Sequence, residues 1–452
     1  MKNIILYILL FALCPLLLVA QAPDTLWTRH FGGNEYEIGN SVLQTDDGGF
    51  IAVGETHSYG AGLDDIYIVR TDSCGDILWT KTYGGSSIDE GYAIQSTTDN
   101  GFIVCGSTFS FGPTWASNLW LLKLNSSGDT LWTKVYGTDV YEYGYSVRQT
   151  FDGGYIISGT KGEFAQCLLY LIKTDSLGDT LWSNTYGIPG FTFGYDVRQT
   201  TDRGYIVVGS MGASNNIDVY CVKADSLGDT LWTRTYGDSC ENRAQSVQIT
   251  SDGGYIIAGY SYRGFQQDIY VIRINAFGDT IWTRFYGDDS ASDTGYDLIL
   301  TSDSNYVIVG ATYSYGAGET DVYLVKITDT GDTIWTAAFG GIYDDYGRSV
   351  YETNDGGYIV TGLMDTYSTL ESDLLLLKTT PDTFGIKEQQ IVPIVKDYYS
   401  ATIISGPLLL PDGKNCKIFD ITGRVVVPQH IKPGIYFIEI DGVITKKVVK
   451  VR

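Results

Sequence analysis

Hydrophobic and polar positions alternate along this chain in short runs, and the runs return in the same order about every 50 residues. One phrase, SVQITSDGGYIIAG over 246–259, alternates, breaks at Thr-x-Asp-x-Gly and resumes. DIYVIRINAFGD follows over 268–279, and a phrase such as GDTLWTRTYG (228–237) completes the unit. Alternation with a period of two predicts strands, and together with the glycine density it excludes helical repeats. Each unit therefore predicts four strands, of the types SVQIT, YIIAG, DIYVIRI and TIWTRFYG. Thr-x-Asp-x-Gly joins the first pair and a turn ending in Gly-Asp joins the last. Both joints suit tight hairpins, because Gly supplies positive φ and Asp bonds its own backbone two residues on.

The unit is counted by its tryptophans. Trp27, Trp79, Trp132, Trp182, Trp232, Trp282 and Trp335 stand 52, 53, 50, 50, 50 and 53 residues apart. Four antiparallel strands in about 50 residues match a propeller blade, whereas a β-helix coil would be shorter. SVQIT-type strands begin near Ser41, Tyr92, Tyr145, Tyr195, Ser246, Tyr296 and Ser349. The seventh unit has Gly385 where its Trp belongs, and the chain opens on an orphan Trp strand, Asp24 to Phe31. Lending the orphan to the seventh unit leaves no unpaired edge. The expectation is an all-β chain, with a seven-bladed β-propeller over 21–385 closed by its N-terminal strand. The tryptophans, one per outer strand, are read as packing between blades. The two uniform turns point to one face. The longer, variable loops point to the other: HSYGAGLD, FSFGPTWASN, RGFQQ and YSYGAGET, with the acidic crossings NEYEIG, DVYEYG and DDSASD. Variable loops grouped on one face read as a recognition surface.

Composition narrows the partners. The 452 residues hold 53 Asp+Glu against 30 Lys+Arg, a net charge of −23. Such a surface repels phosphate backbones and excludes nucleic acid as a partner. Met1-Lys2-Asn3 and the apolar run Ile4 to Ala20 read as a secretory signal over 1–20, cut after Ala20 or Ala22. No later segment is long and apolar enough to span a membrane. Cys74, Cys105, Cys167, Cys221, Cys240 and Cys416 show no CxxC spacing and are expected to be unpaired and buried.

Candidate chemistry is sparse. Thr-x-Asp-x-Gly resembles the Asp-box turn of sialidase-like propellers without its closing Trp, a position held by residues such as Ile257. Asp47, Asp99, Asp152, Asp202, Asp252, Asp303 and Asp355 are read as turn caps. Arg148 and Arg198 occupy matching inner-strand positions and are expected to line or plug the channel. Calcium is the one cofactor considered, on Asp288, Asp289, Asp293, Asp344 and Asp345, but no alternating Asp-x-Asp-x-Asp-Gly run supports it. His30, His57 and His430 adjoin no nucleophile motif. No catalytic residue, cofactor ligand or metal ligand is assigned. The irregular loop aromatics are the candidate ligand face: Tyr59, Phe111, Trp115, Phe164, Phe265 and Tyr315 in one loop set, Tyr36, Tyr141, Phe191 and Tyr343 in the other.

After Gly385 the repeat stops. Residues 386–452 hold 10 Lys+Arg and 6 Asp+Glu, a net of +4 against −27 for the rest. A linker over 386–398 leads to a β-rich segment, 399–452, with strands KIFDI, GRVVV, GIYFIEI and TKKVVKV. Lys417-Ile-Phe-Asp-Ile-Thr-Gly-Arg424, Pro433-Gly-Ile-Tyr-Phe437 and Lys446-Lys447-Val-Val-Lys-Val-Arg452 resemble the C-terminal sorting domain of type IX secretion. That resemblance implies a small β-sandwich read by an outer-membrane export machine after passage through the periplasm. Asp420, Gly423, Arg424, Gly434, Tyr436, Phe437, Lys446 and Lys447 would carry the signal. The repeats themselves resemble the WxxxYGG/DGGYIIAG repeats of bacterial surface proteins, which imply the fold and no activity. The chain thus reads as a secreted or surface-displayed propeller acting in binding or adhesion, with a glycan or protein ligand. A glycan-active enzyme using top-face carboxylates and a structural surface-layer protein are the alternatives.

Overall fold

The computed structural model describes residues 21–113, 115–163, 166–213, 216–288, 291–365 and 372–382. In the C-terminal part it describes 402–404, 416–420, 424–427, 431–440 and 443–450. The expected signal segment, the linker, Phe164, Asp289, Gly423 and His430 lie outside the described residues. Residues 20–385 form one compact unit, and the segment from 386 belongs to another.

The first unit holds seven four-stranded antiparallel sheets, the arrangement expected of propeller blades. Within the first six, an inner, a second, a third and an outer strand pair in sequence order; the first sheet runs Glu37–Gln44, Phe50–Thr56, Asp65–Thr71 and Ile77–Tyr83. The seventh comprises Asp345–Glu352, Tyr358–Asp365 and Ser372–Thr379, and its outer strand is Thr25–Phe31 from the other end of the chain. Thr28 lies opposite Leu377 and His30 opposite Leu375. Inner strands start about four residues earlier than the alternation predicts, at Glu37 rather than Ser41 for example. The register shifts between Gly39 and Ser41, and the same shift recurs on the other inner strands. That bulge resets the alternation, so the residues before it read as a crossing loop.

Second and third strands are buried along their length, as in FIAVGET and DIYIVRT. Their apolar side chains interleave between neighbouring sheets. Val208, Val219 and Cys221 of the fourth sheet pack with Val247, Tyr255, Ile257 and Ile272 of the fifth. Phe31, Ile359, Leu374 and Leu376 of the seventh pack with Val42, Phe50, Ala52 and Val69 of the first. Each such side chain contributes about 1.5–3 kcal/mol when fully buried.

A repeated joint fixes the outer edges. The Trp132 ring meets Tyr155 of the next sheet edge-on at 5.9 Å, and Tyr136 donates its hydroxyl to the Gly178 carbonyl at 2.6 Å. Trp182–Tyr205 and Tyr186–Gly228 repeat the pattern one sheet on. Gly178 has φ +79°, and a Cβ there would stand 2.8 Å from the Trp132 ring, so the turn needs glycine for both conformation and space. The repeat's Trp, Tyr and Gly are therefore parts of one inter-sheet clamp.

The seven turn aspartates do cap their turns: Asp152 accepts from the Thr150 hydroxyl at 2.5 Å and the Gly154 amide at 3.1 Å. Each also meets a buried cation at the end of the third strand, a partner the sequence reading missed. The pairs are Asp47–Arg70, Asp99–Lys123, Asp152–Lys173, Asp202–Lys223, Asp252–Arg273, Asp303–Lys326 and Asp355–Lys378. The six cysteines among the described residues are free, but the expectation of burial holds only for Cys105 and Cys221. Cys74 is exposed, because it sits in a hairpin turn; the other three are half-buried.

The described part of the C-terminal unit is one five-stranded sheet with Cys416–Asp420, Gly434–Ile440 and Val443–Lys450 at its centre. Thr402–Ile404 runs parallel to Val443–Lys450, and Val425–Val426 pairs with Cys416–Asp420. The second layer of the expected sandwich is not among the described residues.

Candidate functional site

The inner strands of all seven sheets line two cavities in series, of about 360 Å³ and 470 Å³. Because every inner strand carries the same bulge, equivalent positions fall into layers. The layer between the cavities is small and polar: Ser41, Ala93, Ser146, Asp196, Ser246, Asp297 and Ser349. Above it stand Asn40, Tyr92, Tyr145, Tyr195, Gln245, Tyr296 and Arg348. One step further out, at the mouth, come Ile38, Glu90, Tyr143, Phe193, Arg243, Thr294 and Tyr346. Arg148 and Arg198 line the lower cavity with Gln95, Gln248 and Tyr351, as their matching positions predict.

Asp196 and Asp297 hold the small layer together. Asp196 accepts from the Ser146 hydroxyl at 2.8 Å and the Val247 amide at 3.1 Å, and Arg148 and Arg198 approach it at 3.4 and 3.3 Å. Asp297 takes the Ser246 and Ser349 hydroxyls at 3.0 and 3.1 Å. Burial raises both carboxyls above their usual range, against the opposing pull of Arg148. Each aspartate crosses to the next inner strand, so this layer is a structural neck.

The mouth has two unlike parts. One is an aromatic arc: Tyr92 and Tyr145 are 5.1 Å apart, Tyr145 and Tyr195 5.3 Å, and Tyr143 lies parallel to Tyr145 at 6.1 Å. Phe193 stacks on Tyr195 in the same way at 5.9 Å. Adjoining the Tyr92 end of the arc stand Glu90, on the same strand as Tyr92, and Glu55, Asp64, His57 and Tyr36. The Glu90 Oε2 atom accepts the Tyr92 hydroxyl at 2.5 Å and the Ser107 hydroxyl at 3.0 Å. His57 Nε2 pairs with Asp64, and the His57 ring stands 4.5 Å from Tyr36. Glu55 is 8% exposed; burial, with Glu90 and Asp64 near it, pushes its carboxyl up to about 7 against Arg348 and the Tyr36 hydroxyl. A buried acid that holds its proton towards neutrality, beside aromatic rings, can donate to a ligand's hydroxyl or exchange a proton with it.

The sequence reading placed its aromatics further out. Tyr36 is drawn into the acidic part. Tyr59, Phe111 and Tyr315 lie over Tyr67, Trp120 and Tyr323 of their own third strands, at 5.8, 5.1 and 5.4 Å. Trp115 is 76% exposed and meets Tyr141 edge-on at 5.6 Å, while Phe265 is fully exposed. Phe191 exchanges backbone bonds with Gly212, and Tyr343 is half-buried in its crossing. The mouth residues Glu55, Glu90, Tyr143, Tyr145, Phe193 and Tyr195 were missed. The signal was present in YEYGYSVRQ and FTFGYDVRQ, where aromatics alternate ahead of the inner strand.

The acidic crossings have local duties. Asp293 accepts from the Asp288 amide and the Ser314 hydroxyl, both at 2.8 Å, and Asp345 from the Gly341 amide at 2.7 Å. Among the described residues no three His, Cys, Asp or Glu side chains converge as metal ligands. None of the described residues forms a helix long and apolar enough to cross a membrane. In the C-terminal sheet, Asp420 accepts the Arg424 amide at 3.0 Å, and Tyr436 donates to the Lys432 carbonyl at 2.8 Å. Gly434 opens its strand, and Phe437 lies opposite both Phe419 and Lys447, with Lys446 next in register.

No family model and no curated protein matches the chain. Solved structures do. A puromycin hydrolase aligns with 93% of this chain and 62% of its own at 12% identity, TM-score 0.50. PorZ, a surface component of the type IX secretion system of Porphyromonas gingivalis, aligns at 13% identity over 93% and 60%, TM-score 0.45. A protein of unknown function from Dyadobacter fermentans aligns at 10% identity over 79% and 99%, TM-score 0.47. The chain thus spans under two thirds of the hydrolase and of PorZ. At these identities the likeness is one of fold alone.

Proposed function

We propose that residues 21–385 are a seven-bladed propeller closed by the strand Thr25–Phe31, and that it is a binding module whose ligand seats at the mouth of the central cavity. The carrying observation is the aromatic arc Tyr92, Tyr145 and Tyr195 lining the upper cavity, with Glu90 bonded to Tyr92 and Glu55 close to Glu90. Aromatic faces beside carboxylates suit a glycan, and pockets of this kind hold ligands through a few placed polar groups. The signal-like start and the sorting-domain resemblance of residues 399–452 support export through the type IX machinery to the cell surface or the medium. Retention of the full chain on a panel of insoluble polysaccharides tests the reading. Selective retention that Tyr143→Ala abolishes supports it; no retention on any glycan removes the carbohydrate reading and leaves a protein ligand.

Glycoside hydrolysis is the second reading, favoured by one observation: Glu55 is held protonated towards neutrality while Glu90 keeps two hydroxyl donors. A general acid needs a carboxyl whose hold on its proton is raised, as burial raises that of Glu55. Release of reducing ends from the retained polysaccharide, lost in both Glu55→Gln and Glu90→Gln, would establish it.

A further inference from the structure

The cations around the mouth have hydrogen-bond or ion-pair partners other than Glu90. Arg348 donates to the Asn40 side chain at 2.7 Å, Arg243 to Glu241 at 2.6 Å, and Lys161 approaches Glu142 at 3.2 Å. Glu90 has none. Its Oε2 atom carries the two hydroxyl donors, Tyr92 and Ser107, which fix the direction of the carboxylate. Among the described residues its Oε1 atom accepts no hydrogen bond, and the residue is half-buried. The charge of Glu90 reaches Tyr36 and Glu55 in the acidic part and Tyr143 and Tyr145 in the arc.

Resting on the mouth as the ligand site, we infer that the group recognised there is a protonated primary amine, with Glu90 Oε1 taking its N–H and Tyr143 and Tyr145 flanking it. A neutral hydroxyl could bond the same oxygen but would leave the half-buried charge uncompensated. An ammonium neutralises it in a charge-assisted bond and is drawn to the faces of the stacked tyrosines. The net charge of −23 attracts cations to the protein as a whole. Neither a lysine side chain nor an amino sugar is excluded by this chemistry, and the test separates them.

Calorimetric titration of the full chain, at one pH and ionic strength, would compare a glucosamine tetramer, its fully N-acetylated counterpart and N-acetyl-lysine amide. The amine-bearing sugar is expected to bind at least about tenfold more tightly than the acetylated one, the margin of one charged hydrogen bond. Glu90→Gln keeps an acceptor for Tyr92 and Ser107 and should bring the two sugars within about twofold. Tyr143→Leu, which leaves Glu90 in place, should weaken both tetramers, and the amine-bearing one by several-fold more than its acetylated counterpart. Tight binding of N-acetyl-lysine amide would support the inference and assign a peptide source; preference for the glucosamine tetramer over it assigns an amino sugar. Equal affinity for both tetramers would overturn the inference and leave the mouth reading standing. Amine binding undiminished in Glu90→Gln would overturn it as general attraction to an acidic surface. No binding of any probe would also overturn it, and the polysaccharide panel would then decide the mouth reading separately.

Discussion

Removing Asp152 should cost far more than removing its partner Lys173, although the two are joined by one ion pair. Lys173 Nζ is buried, with its side chain 4% exposed, and meets Asp152 at 3.0 Å and the Thr174 carbonyl at 2.7 Å. The Asp152 side chain is 59% exposed and also caps the turn through Thr150 and Gly154. Asp152→Ala therefore strands a charge in the interior and opens the turn, a loss of about 3–5 kcal/mol. Lys173→Met leaves a carboxylate that water can reach and a carbonyl without its donor, a loss of about 1–2 kcal/mol. For a unit of this size, entropy of about 2.1 cal/mol/K per residue converts the larger loss to about 4–6 °C in Tm. Tryptophan-fluorescence melts of the two variants and of the double variant would measure this. The double variant should be more stable than Asp152→Ala alone, because the stranded charge has gone. Equal losses for the two single variants, or additivity in the double one, would refute the reasoning.

Stability should peak in mild acid. Glu55 and Asp345 are both pushed up to about 7, chiefly by burial, from 4.5 and 3.8. Their stabilisation is full below those lower values and is lost as pH rises through 7. Asp99, Asp252 and Asp303 are held down to about 2, so their stabilisation is present above 3.8 and lost as pH falls towards 2. Urea midpoints measured from pH 2 to 8 should be highest at about pH 4–5, and a steady rise to pH 8 would contradict this. Glu55→Gln should flatten the alkaline side of that profile. In the outer clamp, Tyr136→Phe should cost about 0.5–1.5 kcal/mol for one hydrogen bond. Gly178→Ala should cost more, since it adds a clash with Trp132 to a left-handed backbone; denaturant midpoints rank the two. Deleting residues 21–31 exposes the whole edge of Ser372–Thr379, and the product should aggregate, as light scattering would detect.

The seven sheets were legible because their period-two runs are bounded by glycine turns with physical reasons to recur. The missing Trp after Ser372–Thr379 and the orphan Trp strand at the start made the pairing of Thr25–Phe31 a matter of counting. Inner-strand starts were misplaced because a bulge at Gly39–Ser41 shifts the alternation, which a strict period reads as a strand end. The turn aspartates were read correctly, but Arg70, Lys123 and Lys173 were not, since a charged residue closing an apolar strand looks like a solvated end. The mouth was missed for a different reason. Tyr143 and Glu90 lie ahead of the bulge, in stretches read as loop, and only the packing of seven inner strands brings them together. Phe265 and Trp115, by contrast, are conspicuous in one dimension because they break the repeat.

Those two residues supply the most direct test of where the ligand binds. On whichever polysaccharide retains the full chain most strongly, Tyr143→Ala should be compared with Phe265→Ala and Trp115→Ala by the retained fraction. Loss of retention in Tyr143→Ala, with the loop variants unchanged, is the result predicted for a site at the mouth of the central cavity. Retention lost in the loop variants and kept in Tyr143→Ala would place the site on the loops and contradict the account.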